Sequence, residues 1–245
     1  MDALIMAAGR GSRLGDVTAD RPKSLVDLGG ISPLELQLDA LAARSIRTAI
    51  VVTGYRADLV RAAVERHSAG RLDIRFVFNP FWSVTNVLGS AWFARDLLTD
   101  EFVYLHADTV FDPTILDDLL ASTAPIALPV DLRPCEREEM KAEVSDGRIL
   151  HLSKDLEPAR TAGEFIGIGV FRSSGVSAVR EAVEREVAAG AIDAYFEAAI
   201  NRAIESGVWA QPIAVDDRAW TEIDFAEDLE LARSLLPRLT GEATR

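Results

Sequence analysis

The sequence contains one cysteine and three histidines among its 245 residues. A single cysteine excludes an internal disulfide framework and a zinc cluster built on cysteine. No apolar run approaches the ~18 residues of a membrane-spanning helix, so we expect no contact with a membrane. The N-terminus does not look like a signal peptide, because Arg10 and Arg13 interrupt the apolar start. We therefore expect a cytoplasmic protein.

Basic residues are also scarce, with 26 Lys and Arg against 39 Asp and Glu and a net charge of −13. This balance argues against a nucleic-acid partner, because neutralising a phosphate backbone requires a basic face. It does not exclude a phosphorylated small molecule, since local charge can oppose net charge. Hydrophobic residues make up 49% of the chain, which is enough for a large buried core.

Lysine is rare among the 26 basic residues, with only Lys23, Lys141 and Lys154 in the chain. A lysine in an arginine-rich protein is a candidate for a place where a compact ammonium meets a phosphate. The alternative is a biased composition that happened to retain three lysines.

In the first half of the chain, short apolar runs alternate with amphipathic stretches. The runs predict strands over 3–6, 48–52, 74–78, 102–105 and 126–130. The stretches between them predict helices over 32–44, 57–67, 86–98 and 113–121. This alternation is typical of an α/β fold with a Rossmann-like, mostly parallel central sheet and helices on both faces.

The second half has a different pattern. It predicts strands over 141–144, 148–152, 165–171 and 209–215, and helices over 175–188, 193–205 and 224–236. We find no repeat and no linker, so we expect a single domain over 1–239. Its first part is 1–122, and its second part, 123–239, forms a β/α lid inserted over the first. Residues 240–245 are predicted to be a disordered tail.

A glycine-rich loop follows the first strand. It reads Ala7-Ala8-Gly9-Arg10-Gly11-Ser12-Arg13-Leu14 and is followed by Arg21-Pro22-Lys23-Ser24-Leu25. Its spacing fits neither a P-loop, since Lys23 lies too far downstream, nor the dinucleotide fingerprint, since Leu14 replaces the third glycine. A strand that leads into Gly-x-Gly brings backbone N–H groups to an anion, and Arg13 and Lys23 would neutralise it. The alternative is an ordinary βα turn with surface arginines.

Residues 4–25 resemble the signature of the nucleotidyltransferases that activate sugar 1-phosphates and related phosphate esters with a nucleoside triphosphate. Within them the chain is most similar to the small phosphocholine and alkylphosphonate cytidylyltransferases. This similarity rests on the short length, on Asn79-Pro80-Phe81-Trp82-Ser83-Val84-Thr85-Asn86 and on Trp220-Thr221-Glu222-Ile223-Asp224. The resemblance implies an enzyme that moves CMP from CTP to a small phosphate or phosphonate and releases pyrophosphate. It also makes 1–122 the nucleotide-binding part and 123–239 the acceptor-binding part.

Two aspartates are candidate metal ligands. Asp108 follows the fourth strand, at the sheet edge where the glycine-rich loop begins. In the family an aspartate here holds Mg²⁺, and the aspartate of the Glu-Ile-Asp motif, which maps to Asp224, is the second ligand. Two aspartates with no neighbouring Cys or His suit Mg²⁺ better than zinc. The alternatives are a turn cap for Asp108 and a helix N-cap for Asp224; Glu222 is expected to support the metal or face the acceptor.

The resemblance also implies a nucleotide pocket. Ala7, Ala8 and Gly9 would present backbone groups to the base, and Gly11 and Ser12 would approach the phosphates. Asn86 would read a pyrimidine edge, with help from Ser90, because its amide both donates and accepts hydrogen bonds. The alternative for Asn86 is an N-cap of the helix that follows it.

We expect Lys154 to bind the phosphate or phosphonate of the acceptor. Together with Arg13 and Lys23 it would be one of the catalytic cations. Lys141 is a second candidate for the phosphate, and Glu164 would meet a cation or a hydroxyl. Tyr195 and Trp220 are candidate contacts for a choline or ammonium group, although such aromatics are more often part of a core.

Two other functions stay open at this point. One is a uridylyl- or guanylyltransferase acting on a sugar 1-phosphate, which would use the same loop and metal. The other is a nucleotide-sensing protein that keeps the fold without turnover. The sequence leaves open the acceptor's identity and the oligomeric state.

Overall fold

The computed structural model describes residues 1–98 and 101–240. The predicted disorder of 241–245 lies outside the described residues. Within the described part of the chain, no helix combines the length and apolar character needed to span a bilayer.

A ten-stranded mixed sheet forms the centre of the molecule, in the order β3-β2-β1-β4-β10-β6-β9-β7-β8, with β11 paired to β6. A separate two-stranded ribbon joins β5 to β12. The strands are β1 Asp2–Ala7, β2 Thr48–Thr53, β3 Asp73–Phe78, β4 Phe102–His106, β5 Thr109–Phe111, β6 Ile126–Asp131, β7 Lys141–Ser145, β8 Arg148–Ser153, β9 Gly163–Phe165, β10 Ile168–Phe171, β11 Ala210–Ala214 and β12 Trp220–Glu222.

Helices cover the sheet. They are α1 Pro33–Ala43, α2 Ala57–Ser68, α3 Val87–Ala94, α4 Thr114–Ala121, α5 Ser174–Ala188, α6 Glu197–Glu205 and α7 Ala226–Leu239. The strands β1 to β4 are parallel, as the sequence predicted, and the fold is the expected mostly parallel α/β architecture.

The predicted strand over 165–171 is wrong in one respect, because it is two strands. Gly167 lies between them with φ +76°, a left-handed conformation that turns the chain. The second strand, β10, then runs antiparallel between β4 and β6, so those two strands are not neighbours.

Several predicted boundaries also differ from the structure. The helix predicted over 193–205 begins only at Glu197, and the one predicted over 86–98 ends at Ala94 before a short 3-10 turn. The last helix begins at Ala226, so Asp224 precedes it. The short strands β5 and β12 were not predicted.

Two apolar cores lie on opposite faces of the sheet. Alternate residues of β1 enter them, with Leu4 in one core and Ile5 in the other, and both are fully buried. A third, smaller cluster packs Leu14 of the glycine-rich loop with Ile223 and Leu229, which flank the start of α7. This cluster fixes the loop against the chain segment that carries Asp224.

Helix α1 begins with a capping box, which supplies a stability prediction. The Ser32 hydroxyl accepts the Glu35 N–H, and the Glu35 carboxylate accepts the Ser32 N–H at 2.8 Å. Ser32→Ala should lower the free energy of unfolding by about 0.5–2 kcal/mol, measured by urea denaturation. Ser234→Ala, at an exposed position inside α7, is the matched control and should leave it nearly unchanged. Equal losses in both variants would contradict the role of the cap.

Candidate active site

A cavity of about 740 Å³ opens where β1 and β4 end. Its walls come from both parts of the chain: the glycine-rich loop on one side, and β9, β12 and the start of α7 on the other. The structure brings together here most of the predicted site residues, namely Gly9, Gly11, Ser12, Arg13, Lys23, Asn86, Asp108, Lys154, Glu164, Tyr195, Trp220, Glu222 and Asp224.

The Lys23 ammonium connects the two predicted metal ligands. Its Nζ lies 2.7 Å from Asp108 Oδ2 and 2.6 Å from Asp224 Oδ1. Burial lowers the pKa of Lys23, but Asp108, Glu222 and Asp224 outweigh it and raise this pKa well above its usual value. Lys23 therefore stays charged, and a single cation holds the two carboxylates together.

The ribbon of β5 and β12 explains why two aspartates so distant in sequence converge. Glu222 pairs with Thr109, and the Ile223 N–H donates to the Asp108 carbonyl at 3.1 Å. This places residues 222–224 directly beside the end of β4. Asp224 does not cap α7, because the N-cap position is Phe225; the Asp228 carboxylate accepts the N–H groups of Asp224 and Phe225, just before the helix. The Asp224 side chain is thus left for Lys23 and Arg13, whose Nη1 donates to Oδ2 at 3.0 Å.

Gly11 has a steric role that the sequence did not reveal. Its φ is +78°, and a Cβ built there would lie 2.6 Å from the Lys23 Cβ. The Lys23 N–H also donates to the Arg10 carbonyl at 3.2 Å. The glycine therefore lets the Lys23 stem cross directly over the loop, which delivers its ammonium to the aspartates.

His106 and Glu222 add a second pair of charges beside Asp108. His106 Nδ1 lies 3.8 Å from Glu222 Oε1, and its Nε2 is 2.8 Å from the Tyr104 hydroxyl. Burial lowers the pKa of His106, but Glu222 and Glu197 outweigh it and raise this pKa to about 9. Burial raises the pKa of Glu222, but His106 and Lys23 bring it down to about 2. The pair is therefore an imidazolium and a carboxylate at neutral pH.

Asp108 shows a feature of an incomplete site. Its Oδ1 is buried and has no hydrogen-bond partner among the described residues. Burial raises the pKa of Asp108, and Lys23 only partly offsets this effect. One carboxylate oxygen of Asp108, one of Glu222 and one ring nitrogen of His106 all lie within 4.8 Å of one another. An unpaired buried carboxylate oxygen is costly unless a cation or donor completes it.

The predicted base pocket forms only in part. Asn86 lines the cavity, but its Oδ1 accepts the Val87 N–H at 2.9 Å and so caps α3, as the alternative prediction held.

Ser90 does not reach the cavity, because it is buried and its hydroxyl accepts a hydrogen bond from the Asn79 amide at 2.9 Å. Ala7 and Ala8 are also buried behind the cavity wall, and the Ala8 carbonyl accepts the Tyr55 N–H.

Of the acceptor candidates, Lys141 is not available to a ligand. It is only 6% exposed, and its Nζ donates to the carbonyls of Arg137 and Lys154 at 3.0 and 2.5 Å. Lys141 thus holds the turn that carries Lys154.

The Lys154 ammonium lies in the cavity, 5.2 Å from the centre of the Tyr195 ring. Trp220 also lines the cavity and donates its indole N–H to Asp131 at 3.0 Å.

The sequence reasoning missed several charged residues of this cavity, among them Asp131, Arg133, Glu139 and Glu197. All four line its wall. No spacing pattern marks them, because Asp131 ends β6, Arg133 and Glu139 lie between β6 and β7, and Glu197 opens α6. The one available signal was the density of acidic residues over 131–139.

Comparison with known proteins places the chain in a family. Residues 3–135, more than half of the chain, match the model of the MobA-like NTP transferase domain. The fold and the charged cavity at its sheet edge thus define an enzyme of the nucleotidyltransferase class. The chain belongs to the MobA-like NTP transferase family.

Two relatives are similar along most of this chain. The CMP-5'-(3-aminopropyl)phosphonate synthase of Streptomyces rubellomurinus is 31% identical over 92% of this chain. The match covers 37% of that synthase, so the chain spans well under half of its length. The CTP:phosphoglutamine cytidylyltransferase of Campylobacter jejuni is 24% identical over 94% of this chain and 98% of its own.

A solved structure confirms the fold. The CTP:phosphocholine cytidylyltransferase of Streptococcus pneumoniae superposes with a TM-score of 0.80 at 21% identity, covering 96% of this chain and 98% of that one. At this identity the likeness concerns the architecture alone.

Proposed function

We propose that the chain transfers CMP from CTP to a small phosphate or phosphonate and releases pyrophosphate. The observation that carries this proposal is the convergence of Lys23, Asp108 and Asp224 in a cavity walled by the glycine-rich loop. The activities for which the Streptomyces and Campylobacter relatives are named support cytidylyl transfer in particular.

Asp108 and Asp224 are the residues that would hold Mg²⁺. They fit it because both offer carboxylate oxygens and because the buried Oδ1 of Asp108 has no partner among the described residues. A bound Mg²⁺ would supply charge stabilisation at the α-phosphate. Lys23 now lies between the two carboxylates, so it would have to leave them when a divalent ion arrives.

The chain's own residues would perform the remaining work by position and charge. An acceptor oxyanion attacks the α-phosphorus in line while the bond to the departing pyrophosphate breaks. The oxyanion is already ionised at neutral pH, so no nucleophilic side chain or general base is required. Lys23, Arg13 and the backbone N–H groups of the loop would stabilise the pyrophosphate. Lys154, at the other side of the cavity, would hold the acceptor.

An assay that combines each of several nucleotides with each of several acceptors tests this proposal. CTP, UTP, GTP and dTTP are each combined with 2-aminoethylphosphonate, phosphocholine and glucose 1-phosphate, and pyrophosphate release is measured. We expect release with CTP and a phosphonate or phosphocholine.

The alternative activity, uridylyl transfer to a sugar 1-phosphate, is supported by one further relative. An N-acetylmuramate α-1-phosphate uridylyltransferase of Caulobacter vibrioides is 42% identical to this chain, but over only 31% of it. Turnover of UTP with the sugar 1-phosphate, and not of CTP, would replace our proposal with that activity. Binding of nucleotides without any pyrophosphate release would instead indicate a sensor.

A further inference from the structure

A second charged cluster lies in the cavity, away from Lys23. The Arg133 guanidinium lies between three carboxylates: Asp131 at 3.0 Å, Glu139 at 2.8 Å and Glu164 at 2.5 Å. Arg133 and all three carboxylates line the cavity wall. One cation among three carboxylates leaves the cluster with excess negative charge, which is unexpected in a pocket that receives only a phosphate or phosphonate.

The burial and the pKa of Glu164 reflect this excess negative charge. Its side chain is 8% exposed. Burial and the neighbouring Glu139 raise the pKa of Glu164 to about 8, although Arg133 acts in the opposite direction. Because Arg133 alone does not compensate the cluster, a further positive charge would be bound favourably here.

An aromatic face accompanies the carboxylates. The Arg133 guanidinium lies 6.0 Å from the centre of the Trp220 ring. Trp220 is held in place by its hydrogen bond to Asp131. The ring face is therefore presented to the position that a cation already occupies, an arrangement that favours cations over neutral groups.

Glu197 is an independent indication of a missing donor. It is 3% exposed and lines the same cavity, and its Oε2 has no hydrogen-bond partner among residues 1–98 and 101–240. Burial raises the pKa of Glu197, although the neighbouring His106 acts in the opposite direction. Glu164 and Glu197 both line the wall of this one cavity. A buried carboxylate oxygen without a partner is a place for a ligand N–H.

We propose that these carboxylates, Asp131, Glu139, Glu164 and Glu197, form a subsite for a protonated primary amine on the acceptor, and that Arg133 fills it until the acceptor binds. The inference rests on the proposed function, because it places the acceptor's oxyanion near Lys154. The acceptor is then a zwitterion, with an oxyanion at the reacting end and an ammonium group at the other.

The chemistry of the subsite favours a primary amine over a quaternary ammonium. A primary ammonium donates three hydrogen bonds, which the carboxylate oxygens can accept. A quaternary ammonium has no N–H and depends on several aromatic faces. At this cluster the ring of Trp220 has a cation over its face, whereas Lys154 lies over the ring of Tyr195.

Direct binding tests the subsite without requiring turnover. Calorimetry compares 2-aminoethylphosphonate with 2-hydroxyethylphosphonate, which have the same length and differ in the ammonium group. We expect the amine to bind about 10- to 100-fold more tightly, the range expected of hydrogen bonds to charged groups. Phosphoethanolamine should likewise bind more tightly than phosphocholine. Equal binding of amine and alcohol, or no binding of the amine, would overturn the subsite, whereas failure of CTP turnover alone would overturn only the proposed function.

Two variants separate the roles of Glu164 and Arg133. Glu164→Gln keeps the shape of the side chain and should reduce the preference for the amine about tenfold. Arg133→Met removes the internal competitor and should tighten the amine several-fold without tightening the alcohol. The control is Arg160→Met, because the Arg160–Glu143 pair lies outside this cavity. If Arg133→Met weakens both ligands equally, Arg133 binds the phosphonate and the proposal is wrong.

Discussion

Asp108→Asn is expected to reduce kcat by about 10²- to 10⁴-fold while the protein stays folded. The substitution keeps the shape of the side chain but removes the charge that Lys23 contacts at 2.7 Å and that a divalent ion would require. The buried oxygen that has no partner among the described residues would also belong to a neutral amide, which binds a divalent ion more weakly than a carboxylate. The measurement is pyrophosphate release at saturating CTP and Mg²⁺.

The control for this variant is Asp117→Asn. Asp117 pairs with Arg44 at 2.8 Å, is 57% exposed and lies away from the cavity. It should keep nearly full activity, because an exposed ion pair contributes little to the fold. If Asp108→Asn retained normal turnover, Asp108 would have no part in the chemistry and the proposed metal site would be incorrect.

Lys23→Met is expected to have two opposite effects. Turnover should fall by about 10²- to 10³-fold, because the charge that stabilises the departing pyrophosphate is lost. Binding of Mn²⁺ in the absence of nucleotide should become tighter, because the ammonium lies 2.7 and 2.6 Å from the carboxylates of Asp108 and Asp224, which would hold the metal. Electron paramagnetic resonance of free Mn²⁺ measures this affinity without turnover.

Arg13→Met serves as the comparison for the metal affinity. Among the described residues Arg13 forms an ion pair with one of the two aspartates, Asp224, at 3.0 Å, and its side chain is 46% exposed, so its removal should change Mn²⁺ binding less. A Lys23→Met protein that bound Mn²⁺ no more tightly than the unaltered chain would show that the ammonium does not compete with the metal.

The parallel half of the sheet could be predicted from the sequence because each strand is a short, mostly apolar run between helices. The position of β10 could not. Its residues are as apolar as those of β4, and periodicity does not say which strands a segment pairs with or in which direction. The break at Gly167 was hidden for the same reason, because a glycine in an apolar run does not reveal its φ.

The site was predictable to a similar extent. The resemblance pointed to Asp108 and Asp224, and the structure brings their side chains together on Lys23. That contact depends on the pairing of β5 with β12, two strands too short to stand out in the sequence. Lys141 failed as a binding candidate because the sequence does not show that backbone carbonyls surround its ammonium.

The most direct test is a crystal structure of the chain with CTP and Mg²⁺. We predict the triphosphate against residues 9–13, one divalent ion held by both Asp108 and Asp224, and the Lys23 ammonium moved from the carboxylates to the phosphates. A nucleotide bound elsewhere, or Lys23 still bridging the two aspartates with the nucleotide in place, would contradict the account.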